Sequence, residues 1–243
     1  MSEILKKITE GLLGDERVED VGVYLHATVV KSRGMGLAYT FPRRSFDDRG
    51  DREELIAGGG KLTGLLARDL ARYALSKHLA EASVGIAAIN SLIEPPKERI
   101  IWRNGVDLIM EEAAGKRLAV IGHFPFVERV RPLVKALWVL ELDPREGDIP
   151  AQEAPNIVPG ADVVAITGTT VINHTIDDLL ELAKKKKVIV LGPSTILSPA
   201  LFEFGISALC GINVENHNHV LRHLSQGGSF RHLPGVRYAT ILR

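Results

Sequence analysis

An α/β protein in two parts is what this sequence predicts: a small α+β amino-terminal domain over residues 1–115 and a parallel-sheet domain over residues 116–243. In the second half, short apolar runs alternate with helical stretches. Four of these runs, LAVIGHFPF (118–126), LWVLELDP (137–144), VVAITGTTVIN (163–173) and VIVLGPSTILSP (188–199), pass straight into small, polar or glycine-rich residues. Continuous apolar runs suit strands buried on both faces, and sheets of that kind bind ligands beyond the carboxyl ends of their strands. The four tails are therefore expected to converge on one crevice. In the first half, a stretch of period-two alternation precedes two helical stretches, the pattern of a meander followed by a helical hairpin.

Taken in order, Ser2 to Leu13 predicts a helix, because Ile4, Leu5, Ile8, Leu12 and Leu13 mark one face at helical spacing. Val21 to Lys31 alternates with period two, Ser32-Arg33-Gly34 turns the chain, and Gly36 to Phe41 returns as an antiparallel partner. The polar segment 43–54 and the glycines Gly58, Gly59 and Gly60 read either as a solvated loop or as a flap with a hinge. Helical stretches follow at 62–78 and 82–93, the second ended by Glu94-Pro95-Pro96. A short amphipathic helix within 97–116 leads to the domain boundary near Gly115. Strands are expected at 118–122, 137–142, 162–167, 188–192 and 207–211, and helices at 126–135 and 175–187. In the last of these helices, early acids and late lysines complement the helix dipole, so the lysine run reads as a solvated helix end. A final strand near 237–242 is expected at a sheet edge.

The composition narrows the function. Thirty basic and 30 acidic residues cancel, so the chain lacks the general positive field that draws proteins to nucleic acid. The amino terminus is charged and amphipathic, and no apolar run approaches the roughly 20 residues needed to span a bilayer. Neither nucleic acid nor membrane is an expected partner, and a cytoplasmic location is expected. A homodimer, the commonest symmetric assembly, is the expected oligomer. Cys210 is the one cysteine; it excludes an intrachain disulfide and thiolate clusters, and its apolar surroundings in ISALCG read as structural.

Chemistry is sought at the strand ends. Gly122 leaves the first strand without a side chain, and Glu141 lies 19 residues further on, a distance resembling that between a dinucleotide-binding turn and its ribose-binding acid. The loop itself reads GHFPFV, without the further glycines that would seat a diphosphate, so a conventional NAD site is not supported. A nucleoside-like ligand, or a small ligand stacked on Phe124 or Phe126, meets no such objection. Thr167-Gly168-Thr169-Thr170, with Asn173 just before a helix capped by Thr175, and Gly192-Pro193-Ser194-Thr195 offer hydroxyls and backbone N–H groups suited to a carboxylate or phosphate. Neither a GxSxG elbow nor a GxxxxGK[ST] loop is present.

Taken together, GHFPF (122–126), ELDPREGDIP (141–150), ADVVAITGTTVIN (161–173) and LGPSTILSP (191–199), with GLAYTF (36–41) and GIAAINSL (85–92) before them, resemble the putative heavy-metal chelation domain family over nearly the whole chain. The resemblance implies an enolase amino-terminal-like domain, a Rossmann-like domain and a ligand site in the cleft between them. Carried over position by position, that site comprises Gly122, His123, Phe124, Glu141, Asp143, Thr167, Gly168, Thr169, Asn173, Gly192, Pro193, Ser194 and Thr195. Asn90 joins it on separate grounds, because an amide within the apolar GIAAINSL helix needs a buried partner.

Metal binding can be weighed on the residues themselves. His123, Glu141 and Asp143 form a candidate set for a divalent metal ion, since hard or borderline metals take imidazole and carboxylate. Soft metals want thiolate, and Cys210 offers little. His219 and His223, four apart on a predicted helix with His217 nearby, form a second, weaker geometry that lacks a fixed third ligand. Three functions stay open at this point: binding a metal or its organic chelate; catalysis on a small anionic or nucleoside-like substrate with His123, Glu141 or Asp143 as acid or base; or an interaction module with a vestigial cleft.

Overall fold

The computed structural model describes residues 2–41 and 55–243. The segment read as a loop or flap, 43–54, lies outside them. The chain opens with α1 (Glu3–Glu10), capped by the Ser2 hydroxyl accepting the Leu5 N–H, and continues into β1 (Asp20–Val23), β2 (Ala27–Lys31) and β3 (Met35–Tyr39). After α2 (Ala67–Ala71) and its 3-10 extension Arg72–Leu75 comes α3 (Leu79–Leu92). The edge strand β4 (Ile100–Ile101) and α4 (Gly105–Ala113) follow, and then the alternating series begins. It runs β5 (Arg117–Ile121), α5 (Val127–Val130), β6 (Ala136–Glu141), β7 (Ile149–Pro150), α6 (Ala154–Ile157), β8 (Val163–Thr167), α7 (Ile176–Leu182), β9 (Lys187–Leu191), β10 (Ala208–Val214), α8 (His217–Ser225) and β11 (Val236–Leu242).

Among the described residues the strands form two sheets, β1-β2-β3 and β4-β11-β10-β9-β8-β5-β6-β7. Strands β5, β6, β7, β8, β9 and β10 are parallel to their paired neighbours in this series, while β4 and β11 pair antiparallel. The fold is thus α/β, with an amino-terminal helix and sheet segment and a mixed, mainly parallel sheet. By packing, the chain forms two compact units: Met1–Glu94 with Val171–His174 and Ile212–Arg237, and Pro95–Thr170 with Thr175–Gly211 and Tyr238–Arg243.

In the first unit, Ala27, Val29, Met35 and Leu37 of the meander share a core with Val220 and Leu224 of α8 and with Leu233. In the second, alternate residues of the parallel strands, Leu118, Val120, Val163, Ala165, Ile189, Leu191, Ala208 and Cys210, pack with Leu108, Ile109 and Ala113 of α4. Each valine, leucine or isoleucine among them contributes about 1.5–3 kcal/mol when fully buried, which is why these strands read as unbroken apolar runs.

Several elements differ from their sequence expectation. The stretch 21–31 is not one strand but two, with Asp20 opposite Lys31 and the Tyr24 N–H closing the bend onto the Ala27 carbonyl at 2.8 Å. Tyr24-Leu25-His26 carries no glycine, proline, asparagine or aspartate, so the alternation runs across the turn unmarked. Residues 62–66 stay outside the helix expected there because Gly64 turns the chain at φ +86°. The helix expected over 126–135 shortens to α5 and a 3-10 turn, since Pro132 has no N–H to carry the ladder on. Strand β11 is interior instead of terminal, because the two-residue β4 covers its outer side. At the other end β7 carries Pro150, a residue tolerated in an edge strand.

Candidate functional site

Strand order reverses beside β5. From β5 the chain moves to β6 on one side of the sheet, then returns to β8, β9 and β10 on the other. The reversal separates the loops that leave β5 and β8, and crevices in open parallel sheets form at the carboxyl ends of such a strand pair. Here the β5 loop begins with Gly122 and the β8 loop with Gly168. Gly122 takes φ +98°, which a side chain would oppose, and a Cβ there would also lie 3.0 Å from Cγ2 of Thr167.

The next residue is held from several directions. The His123 N–H donates to Oε2 of Glu141 at 2.7 Å, and the other oxygen of Glu141 accepts the Leu142 N–H at 2.8 Å. Glu141 therefore ties the loop after β5 to the end of β6. The His123 ring turns toward Asp148, with Nδ1 lying 2.9 Å from each carboxylate oxygen. Asp148 also accepts the Arg145 N–H at 3.1 Å, and its side chain is only 3% exposed, against 28% for His123.

Burial works to raise the Asp148 carboxyl pKa. The His123 hydrogen bond, the Arg145 N–H and the nearby positive charges outweigh it, so the group is held below its ordinary value of 3.8. An ionised carboxylate can only accept, so whenever the ring is neutral Nδ1 is the nitrogen that carries the proton and Nε2 the one that presents a lone pair.

On the β8 side, the Thr167 hydroxyl accepts the Thr169 N–H at 3.3 Å and lies 3.1 Å from the Thr169 hydroxyl. The Thr170 hydroxyl donates to the Thr167 carbonyl at 2.7 Å. Gly168 is pressed against the turn after β9: a Cβ on it would stand 2.7 Å from the Thr195 nitrogen, 2.8 Å from the Thr195 hydroxyl and 3.0 Å from the Ser194 carbonyl carbon. Gly192, at φ +118°, starts that turn and accepts the Thr195 N–H on its carbonyl at 3.0 Å. Pro193 is partly exposed, while Ser194 and Thr195 are buried. The Thr195 hydroxyl is buried without a hydrogen-bond partner among the described residues, at a cost of about 1–3 kcal/mol for such an atom.

The remaining expected residues are placed less centrally. Phe124 stacks on Phe126 with ring centroids 5.1 Å apart, so one face of its ring is already occupied. Asp143 is exposed, two residues beyond Glu141. Asn90 finds the partner that its helix position requires in the Leu37 carbonyl, at 2.9 Å, inside the first unit. Asn173 is partly buried in the turn ahead of α7, and the adjacent His174, at φ +60°, donates from Nε2 to the Ala74 carbonyl. Thr175 precedes α7 without a side-chain capping bond. Asp148 is the residue that the sequence reading missed. Its one advance signal is the Gly147-Asp148 pair, which reads as a turn and nothing more.

Several features bear on metal. Among the described residues no group of three or more His, Cys, Asp or Glu side chains is placed to hold an ion. Both oxygens of Glu141 and those of Asp148 are engaged in the contacts given above. Burial pushes the Cys210 thiol up to about 11, against smaller opposing effects of Thr240 and Arg103, so it is no thiolate at neutral pH. On α8, His223 donates from Nε2 to the Ser229 carbonyl at 2.9 Å and His219 is exposed. Three of the four lysines of the run are engaged with acids or carbonyls: Lys184 with Glu181, Lys186 with the Pro159 carbonyl and Lys187 with Glu112. No described helix is long and apolar enough to cross a membrane.

Comparison with known proteins is consistent along the chain. Two family patterns, each described as "Putative heavy-metal chelation", match residues 6–93 and 104–243. A crystal structure of a protein of unknown function from Desulfitobacterium hafniense is 29% identical and superposes with a TM-score of 0.87 over 99% of this chain and 98% of that one. A second, from Pyrococcus horikoshii, is 25% identical with a TM-score of 0.80 over 100% and 99% of the two chains. An uncharacterized protein of Methanocaldococcus jannaschii is 27% identical over 159 residues, 62% of this chain and 61% of that protein.

Proposed function

Because this chain belongs to the family described as putative heavy-metal chelation, we propose that it binds a small, metal-linked ligand at the carboxyl ends of β5, β8 and β9. The observation that carries this reading is the reversal of strand order between β5 and β8, with glycine at the start of both loops and at the start of the adjoining one after β9. Gly192 leaves backbone open to close approach, while Gly122 and Gly168 let the turns after β5, β8 and β9 pack against one another. Thr167 and Thr169, both partly exposed, supply hydroxyls for an anionic group, and the Thr195 hydroxyl, buried against Gly168, lacks a partner that a ligand opening this turn would provide. The likeness of the first unit to the amino-terminal domain of enolase, and of the large sheet to a Rossmann-like domain, belongs to the same reading.

A second reading is favoured by one contact. His123 with Nδ1 on Asp148 has the form of a general base oriented by a carboxylate, suited to an enzyme acting on a small anionic or nucleoside-like substrate at the same strand ends. Native mass spectrometry of the untagged chain, purified without chelators or affinity metal, tests both. The expected result is a stoichiometric mass excess over the denatured chain that contains a metal and is lost on Thr195→Val. An organic excess without metal, equally lost, would favour the enzyme. An excess indifferent to Thr195→Val and to Gly168→Ala would put the ligand elsewhere and defeat the strand-end site.

A further inference from the structure

The chain is matched to a chelation family, yet its described residues do not make a chelating cage. A protein that sequesters a bare divalent ion encloses it with three or four side-chain donors, and such a group is absent among the described residues. What the second unit offers is one well-prepared imidazole. Metal-binding histidines usually donate their other ring N–H to a carboxylate, which fixes the tautomer and raises the basicity of the coordinating nitrogen. His123 meets that description: Nδ1 faces both oxygens of the buried Asp148, its main-chain N–H is pinned by Glu141, and its ring stays partly exposed.

Resting on the strand-end reading, we infer that the ligand is a metal already held by an organic chelator, with His123 Nε2 completing its coordination. The chelator then brings the donors that the chain does not. Its carboxylates or phosphates meet the partly exposed hydroxyls of Thr167 and Thr169 on either side of Gly168. The protein recognises the complex as a whole, and a hydrated ion, offered one prepared imidazole and no three-ligand group among the described residues, gains little. Coordination here replaces a water on the metal by Nε2 without any change of oxidation state.

The test uses the full untagged chain and two probes, Ni²⁺ alone and Ni²⁺–nitrilotriacetate, whose chelator leaves positions open to imidazole, each titrated calorimetrically. His219→Ala/His223→Ala serves as the background, since exposed histidines also bind both probes. In that background the chelate is expected to bind one site at least about 10-fold more tightly than Ni²⁺ alone. His123→Ala should remove that site, and Asp148→Asn should weaken it about 10–100-fold while leaving the fold, followed by circular dichroism, intact. Ni²⁺ alone binding a His123-dependent site as tightly as the chelate would overturn the inference, and so would chelate binding that His123→Ala does not change. Gly168→Ala separates the two levels of the argument. Loss of chelate binding at unchanged His123 supports the seat; unchanged binding at a His123-dependent site defeats the strand-end reading and leaves only the histidine.

Discussion

At the end of β5 and along α8 the molecule presents imidazoles in two different ways. His123 turns its Nδ1 toward a buried aspartate, and its ring stays partly exposed beside a glycine turn. On α8, His223 gives its Nε2 proton to the Ser229 carbonyl, and its ring fills the space where a Cβ on Gly228 would stand 2.3 Å from Nε2. His219 shares that helix face but is exposed, with only its main-chain N–H held, by the Asn216 side chain. By spacing, two histidines four apart can share a metal, but the α8 pair lacks a fixed third ligand. The contacts widen the difference from His123: a carboxylate prepares a ring to act, whereas a carbonyl on Nε2 uses it as a structural pin.

The largest effect that would break this comparison comes from the glycine beside the β5 loop. Gly168→Ala forces a methyl group to within 2.7 Å of the Thr195 nitrogen and 3.0 Å of the Ser194 carbonyl carbon. Both are backbone atoms, so neither can swing aside. Overpacking of this kind costs about 1–3 kcal/mol, and the separation of the β8 and β9 turns that relieves it should also remove the bound adduct. Urea midpoints and native mass, measured on the same preparation, check the two halves. A variant as stable as the wild type would mean that the turns are loosely set and that the strand ends are less organised than the region around His123 requires.

Acid should separate the two regions next. Asp148 is held below its ordinary 3.8 in the folded chain, so its contribution to stability is fully present above that value. It is lost as pH falls through the lower, folded pKa. Asp162, paired with Arg117 at 2.7 Å and likewise depressed, is the same in both proteins and cancels in the comparison. Asp148→Asn can still accept from Nδ1 but cannot ionise. Its stability, measured from pH 6 to about pH 2.5, should therefore fall less steeply below pH 4 than that of the wild type. Parallel curves would show that the His123–Asp148 contact does not hold the carboxylate charged, and the case for a prepared imidazole would weaken with it.

Much of this arrangement could be read in advance, and the parts that could not share a cause. Apolar runs marked β5, β6, β8 and β9 to within a residue or so, because β5, β8 and β9 are buried on both faces and β6 is at least half-buried along its length. The same runs placed Gly122, His123, Thr167 and Gly192 at strand ends. Spatial neighbourhood is a different matter. That β8 lies beside β5 and not beside β6 is a fact of strand order, which no local pattern encodes. Asp148, 25 residues after His123, becomes its partner only because the 142–148 loop returns to the end of β5. The break at Tyr24-Leu25-His26 was hidden for a related reason, since the closing bond is made by backbone and leaves no residue signature.

The smallest effect sharpens the comparison from the other side. Replacing His223 by alanine removes one hydrogen bond to the Ser229 carbonyl at the partly exposed end of α8, and a bond of that kind contributes about 0.5–1.5 kcal/mol. The space beside Gly228 opens at the same time, but it lies toward solvent and water can enter it. A small drop in urea midpoint is expected, with the mass excess of the native protein unchanged. If the ring were instead a ligand, the stability loss would be similar but the metal would leave with it. The mass of the native variant therefore decides between a pin and a ligand where stability cannot, and it asks of α8 the same question that His123→Ala asks of β5.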